Sequence, residues 1–216
     1  MHPAIYSRFG QLFRQYVPPG REILEIGATE NMPETLLTLF RELSETYHCV
    51  GINIHVGPAD NLPYRLIQCN GNTMDIFNDE SFDAVACNAV LEHDKFFWKT
   101  LGEVRRVLKP GGLFYVGVPG FPKQNNFIQR SILNVMHSKS LRSFHLLSRL
   151  ARWAMLTRLA LTSTLMFHGA PHDFYRFSEE AVKEVFLEGL VILHLEHILE
   201  PVRIIGIGRK PHRDRG

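Results

Sequence analysis

Cysteine is scarce in this chain of 216 residues, and Cys49, Cys69 and Cys87 each fall inside or at the end of an apolar, strand-like run. No Cys-x-x-Cys and no Cys/His spacing joins them, so a zinc module and a disulfide framework are both excluded. Buried, reduced thiols are the expectation. No uncharged run reaches the ~20 residues that a spanning helix needs. The opening Met1-His2-Pro3 begins no apolar segment of the secretory kind, so a cytoplasmic location is expected. A nucleophile elbow, a phosphate-binding lysine loop and a metal-ligand cluster are absent too, and no metal is expected. Acid is missing locally. Between Val104 and His172 there is no Asp or Glu, while Arg105, Arg106, Lys109, Lys123, Arg130, Lys139, Arg142, Arg149, Arg152 and Arg158 all fall there.

Against these absences, 45% of the residues are hydrophobic and 21% charged, with a net charge of +2. That is the composition of a globular α/β chain able to bury a sizeable core, and the charge is too mild to imply nucleic acid. The pivotal stretch is Arg21 to Asn31. Ile23, Leu24 and Ile26 read as a buried strand carrying Glu25 near its carboxyl end. The run breaks at Gly27 and leads to a helix opening near Pro33. Such a unit is expected to aim backbone N–H groups and a helix N-terminus at a nucleotide-like ligand.

Ahead of it, Ile5, Phe9, Leu12, Phe13 and Tyr16 recur at helical spacing until Pro18-Pro19-Gly20, a helix expected to pack on the sheet. Further apolar strands follow at Cys49–Ile54, Tyr64–Cys69, Ser81–Asn88 and Leu113–Val118. A helix is expected from about Asp94 to Val107, stopped by Lys109-Pro110-Gly111-Gly112. Strand and helix alternate, which is the signature of a doubly wound, mostly parallel sheet.

Phe82-Asp83-Ala84-Val85, then Leu91-Glu92-His93, then Glu103-Val104-Arg105-Arg106-Val107-Leu108-Lys109-Pro110-Gly111-Gly112 together resemble the class I S-adenosylmethionine-dependent methyltransferases. The likeness is to their small-molecule, type 11-like branch and covers roughly residues 20 to 120. The segment from His172 to Ser178, with the strands Leu190–Leu199 and Val202–Lys210, is similar to the family's C-terminal end. The resemblance implies a Rossmann-like, seven-stranded sheet closed by an antiparallel pair, with a helical insertion at 121–168 inside one domain. It implies S-adenosylmethionine as cofactor and S-adenosylhomocysteine as product. Glu25, Gly27, Ala28 and Asn31 would approach the methionine part and Asn53 the ribose. Asn72 and Thr73 would lie near the adenine, with Asn88 lining the cleft. The chain departs from the family at three places: one loop glycine where several are usual, Asn53 for an acid, and Asn72-Thr73 for Asp-Ala.

The insertion has three readings: a structural cover over the substrate side, a basic amphipathic surface resting on anionic membrane, or a nucleic-acid surface. Few aromatics suit base stacking there, so a cover that touches membrane is favoured. Methyl transfer needs in-line positioning, and a base only for a hydroxyl or protonated amine. His93 and His172 are the candidate bases. His168, Asp173, Tyr175 and Arg176 are candidate substrate contacts. The expectation is a methyltransferase for a small-molecule, glycan or lipid-linked acceptor at oxygen. The alternative is a degenerate scaffold of the same fold. The oligomeric state is left open.

Overall fold

Alternation along the apolar runs decides which way each strand residue faces. The computed structural model describes residues 2–29, 35–57, 64–121, 173–199 and 201–212. Strand β1 (Glu22–Ile26) turns Leu24 and Ile26 to one face of the sheet and Ile23 to the other. The strands β2 (His48–Asn53), β3 (Arg65–Gln68), β4 (Phe82–Asn88), β5 (Leu108–Pro119), β6 (Val191–Leu199) and β7 (Val202–Arg209) complete a sheet of order β3-β2-β1-β4-β5-β7-β6. Pairs among β1 to β5 are parallel, whereas β7 runs antiparallel to both β5 and β6.

One face is covered by α1 (Pro3–Tyr16) and α2 (Leu36–Leu43). Phe13 of α1 stacks on Phe40 of α2 with centroids 4.1 Å apart, and its ring also meets Tyr47 and Tyr115. Aromatic contacts of this kind add about 0.5–1.5 kcal/mol beyond the area they bury. The leading helix is therefore packing, as its spacing predicts. The other face is covered by α3 (Phe97–Val107), through Leu101, Val104 and Val107, and by α4 (179–186). Helix α4 opens as Glu179–Ala181 and widens into a π-helical turn at Val182–Phe186, closed by the Leu187 N–H on the Val182 carbonyl. Val182, Phe186 and Leu187 all reach the core from it.

Some boundaries differ from the sequence reading. Helix α2 is described only from its cap, Thr35, whose hydroxyl accepts from the Thr38 N–H at 3.1 Å. The expected opening at Pro33 lies outside the described residues, as do Asn31, His168, His172 and the 121–168 insertion beyond Phe121. Helix α3 starts at Phe97 rather than Asp94. Asp94 instead folds a turn, its side chain accepting from the Phe96 N–H and its carbonyl from the Phe97 N–H.

Strand β5 begins at Leu108, well before the expected Leu113, because Lys109-Pro110-Gly111-Gly112 joins the sheet instead of ending as a loop. Gly111 takes φ +81° there, a conformation glycine adopts without strain, and its N–H bonds the Lys210 carbonyl.

The same run is a lock at the amino ends of the strands. Arg106 bonds Glu103, Asp79 and the carbonyls of Met74 and Phe77. Lys109 reaches Asp83 at 2.9 Å, and Asp83 also accepts the Glu22 N–H. Burial opposes the charge on Asp83, but Lys109, that N–H and Arg21 together hold its carboxyl below the usual range. Among the described residues, no helix is long and apolar enough to cross a membrane.

Candidate active site

The carboxyl ends of β1 to β4 open on a cleft of about 610 Å³. Gly27 and Thr29 from β1, Asn53 and Ile54 from β2, and the loop Cys69–Thr73 after β3 form one side. Val90, His93, Asp94, Lys95 and Phe96 after β4, Lys99 and Thr100 of α3, and Phe174 form the other. A doubly wound sheet places a ligand crevice at this edge, where the crossovers from β1 diverge.

The loop after β1 is fastened from β2. The Ile52 carbonyl accepts the N–H of Gly27 at 2.8 Å and of Ala28 at 3.1 Å. Asn53 donates its amide Nδ2 to the Ala28 carbonyl at 2.8 Å, while its Oδ1 accepts the His55 N–H at 3.3 Å. The Tyr64 hydroxyl donates to the Thr29 carbonyl at 3.3 Å. The expectation that the loop aims its N–H groups at a ligand is thus corrected for Gly27 and Ala28, whose N–H groups extend the sheet. Gly27 has φ +85°, and a β-carbon on it would stand 2.1 Å from Val90 Cγ2.

The helix N-terminus is likewise filled from inside. Alternation turns Glu25 toward α2, where its carboxylate accepts the Leu37 N–H at 2.8 Å. Glu25 is only 6% exposed, and burial pushes its carboxyl up to about 7 even though the backbone N–H groups of Leu37 and Leu36 pull the other way. The carboxylate thereby occupies the anion position at the head of the helix.

On the far wall Asp94 Oδ2 accepts from Asn72 Nδ2 at 2.9 Å and from the Thr100 hydroxyl at 2.7 Å. Asn72 Oδ1 is buried with no hydrogen-bond partner among the described residues. The His93 N–H bonds the Val90 carbonyl, a turn that leaves the imidazole on the cleft wall.

Leu91 is core. Glu92 is fully buried, with Oε1 3.4 Å from Arg203 Nη1 and Oε2 without a hydrogen-bond partner among the described residues. Its carbonyl accepts the N–H groups of Phe174 at 2.8 Å and Tyr175 at 3.2 Å, which docks the segment before α4 beside the cleft.

The structure therefore brings Gly27, Asn53, Asn72, Thr73 and His93 to one cleft. Glu25 and Ala28 lie behind its wall, on the α2 side. Asn88 does not line it; by alternation it follows Ala84 and Ala86 toward α1, its Oδ1 buried and without a hydrogen-bond partner among the described residues. Asp173 and Arg176 pair with each other through Nη2 and Oδ2 at 2.6 Å and through Nη1 and Oδ1. The Tyr175 hydroxyl donates to the Lys95 carbonyl at 3.0 Å. Sequence reasoning missed Asp94, Lys95, Phe96, Lys99, Thr100 and Phe174. The available signal was position, since the residues just after a strand-four exit must border the crevice.

Comparison with known proteins agrees with this geometry. Residues 24–116 match the family described as "Methyltransferase domain". The chain is 33% identical over 110 residues to a sterol 24-C-methyltransferase of Gibberella zeae, covering 46% of this chain and 28% of that one. It is 29% identical over 115 residues to an uncharacterized methyltransferase of Mycobacterium sp. strain KMS, covering 51% of this chain and 43% of the other. The chain thus spans less than half the length of these curated relatives. In structure it is similar to the Burkholderia thailandensis 1,6-didemethyltoxoflavin-N1-methyltransferase with bound 1,6-didemethyltoxoflavin and S-adenosylhomocysteine. That likeness has a TM-score of 0.63 at 12% identity, covering 97% of this chain and 80% of that one. At such identity the likeness concerns the fold.

Proposed function

We propose that this chain, whose residues 24–116 match the methyltransferase-domain family, is an S-adenosylmethionine-dependent enzyme that methylates a small-molecule, glycan or lipid-linked acceptor at an oxygen. The observation that carries the reading is the cleft of about 610 Å³ at the carboxyl ends of β1 to β4 in a sheet of order 3-2-1-4-5-7-6. Its volume falls within the roughly 300–1,000 Å³ of small-molecule sites, and polar residues from several strand ends converge on it beside apolar ones. The residues suit the cofactor of this family. The Gly27–Thr29 and Asn70–Thr73 loops would hold it, with Asn53 between them.

S-adenosylmethionine, when bound, supplies a methyl group already activated by the positive charge on sulfur. What the chain must add is alignment and exclusion of water, worth up to ~7–11 kcal/mol in well-oriented systems. Gly27, with Val90 against it, and the Asn53 bond to Ala28 fix one wall. Asp94, Asn72 and Thr100 fix the other through one hydrogen-bond network. His93 is the base we assign for a hydroxyl acceptor, because it lines the cleft and a neutral imidazole nitrogen can accept the proton. Asp173, Tyr175 and Arg176 serve this reading as positioning groups that hold the segment carrying Phe174.

The test is a calorimetric titration of the intact chain with S-adenosylhomocysteine. Micromolar affinity, about −7 to −8 kcal/mol, is expected. A folded chain that binds neither it nor S-adenosylmethionine at millimolar concentration would favour the second reading, a scaffold that kept the fold and lost turnover. Asn53 gives that reading its motive. It stands where an acid is usual, and both ends of its amide are engaged within the chain.

A further inference from the structure

We propose that the cleft lip formed by Lys95, Phe96, Trp98, Lys99 and Phe174 is a docking surface for an anionic lipid bilayer. The first turn of α3 forces this lip outward. Phe97 packs inward against Tyr175, Phe177 and Phe186, with ring centroids 5.2, 5.2 and 5.5 Å away. Its sequence neighbours must then face solvent, and Phe96 is 43% and Trp98 51% exposed. Their rings meet edge-on at 5.7 Å. Phe174, 47% exposed, lies on the adjoining segment, and Ile54, 56% exposed, borders the same cleft from β2. The lip is held in place: Asp94 caps its turn, and the Tyr175 hydroxyl bonds the Lys95 carbonyl.

The charge of the lip selects the occupant. Lys95 and Lys99 stand 5.5 and 5.1 Å from the Phe96 ring centroid, and neither ion-pairs with a described residue. The acids beside them in the chain are engaged elsewhere, Asp94 by Asn72, Thr100 and the Phe96 N–H, and Glu103 by Arg106 and the Met74 N–H. A second copy docking by the same patch would set lysine against lysine, which two-fold contacts avoid. Lysine is also depleted at the centres of protein interfaces. Tryptophan and phenylalanine flanked by lysine suit the boundary between headgroup and acyl chain, with the ammonium groups on anionic headgroups. This inference stands apart from methyl transfer, although a bilayer at the lip would bring lipid-borne groups to the mouth of the cleft.

The chain has two tryptophans, so Trp153→Phe leaves Trp98 as the sole tryptophan reporter. The full-length variant would be titrated with phosphatidylcholine vesicles, with and without phosphatidylglycerol. The expected result is a saturable blue shift of Trp98 emission with the anionic vesicles only, weakened by salt. Lys95→Ala with Lys99→Ala should weaken that binding roughly 5-fold per lysine, about 25-fold together. These are exposed positions, and circular dichroism would verify that the fold is kept. Cosedimentation of the Trp98→Ala chain should show reduced vesicle binding without any fluorescent reporter. Absence of a shift with anionic vesicles at low salt overturns the proposal, as does equal binding by the double-lysine variant. A shift produced by glycerol phosphate alone, or by raising protein concentration without vesicles, overturns it in favour of a soluble anion or a second copy.

Discussion

Val90 occupies the space that a side chain on Gly27 would need, with Cγ2 2.1 Å from the ideal β-carbon position. Gly27 also holds φ +85°, a region costing other residues about 1–2 kcal/mol. Gly27→Ala should therefore lower stability by about 1–3 kcal/mol and weaken S-adenosylhomocysteine binding at least tenfold. Val90→Ala added to it should recover part of the stability, because it removes the clash and leaves the backbone strain. Chemical denaturation and calorimetry would read both. Undiminished affinity in Gly27→Ala would detach this loop from the ligand site.

Asn53→Asp tests whether an acid at the end of β2 is merely missing or has been replaced by something the chain needs. The amide joins a carbonyl at one end and an N–H at the other. A carboxylate keeps the second bond and sets negative charge against the Ala28 carbonyl. The expected outcome is a several-fold loss of S-adenosylhomocysteine affinity, with stability lower by about 1–2 kcal/mol. Tighter binding by the variant would show that ribose recognition governs this position.

Glu25 makes stability depend on pH in an uncommon direction. Its carboxyl is pushed from an ordinary 4.5 to about 7 in the folded chain, chiefly by burial. The folded state thus binds its proton more readily than the unfolded state. Stability from this group is fullest below about 4.5, falls as pH rises toward 7, and is level beyond. Glu25→Gln keeps an acceptor for the Leu37 N–H without the charge. The variant should exceed the native chain in stability by about 1–3 kcal/mol near pH 8, with the gap closing near pH 5. Urea titrations at both values decide it, and a gap independent of pH would reject the account.

Arg106 provides a control remote from ligand chemistry. Its guanidinium donates to two carboxylates and two carbonyls, a planar fork that lysine does not reproduce. Arg106→Lys is expected to reduce stability by about 2–3 kcal/mol while changing S-adenosylhomocysteine affinity less than about threefold. Thermal unfolding paired with calorimetry tests the split. A large fall in affinity at unchanged stability would move this motif into the binding machinery.

These contrasts bear on what could be read in advance. The apolar runs of β1, β2 and β4 were legible because period and chain order dictate their partners, and the Arg106-to-Gly112 motif because it resembles that of a known family. Glu25 was expected beside the cofactor, whereas its place between Leu24 and Ile26 sets it on the side of Ile23, toward α2. The satisfaction of polar groups was not legible. Asn53 meets Ala28, and Asp94 meets both Asn72 and Thr100, only once crossovers bring separate strand ends together. The early start of β5 was hidden because Pro110-Gly111-Gly112 reads locally as a stop. Pairing with Lys210 near the other end of the chain turns it into sheet.

The π-helical turn at Val182–Phe186 lets this part of the chain absorb a change of length. The wide turn carries one more residue per revolution than a regular helix, so Val182, Phe186 and Leu187 can all meet the sheet. Deleting Lys183, Glu184 or Val185 would let the turn close as a regular helix. Phe186 and Leu187 would then follow Val182 at the i+3 and i+4 positions, still on the sheet side. One residue is therefore the change of number this stretch can lose while keeping its inward side chains.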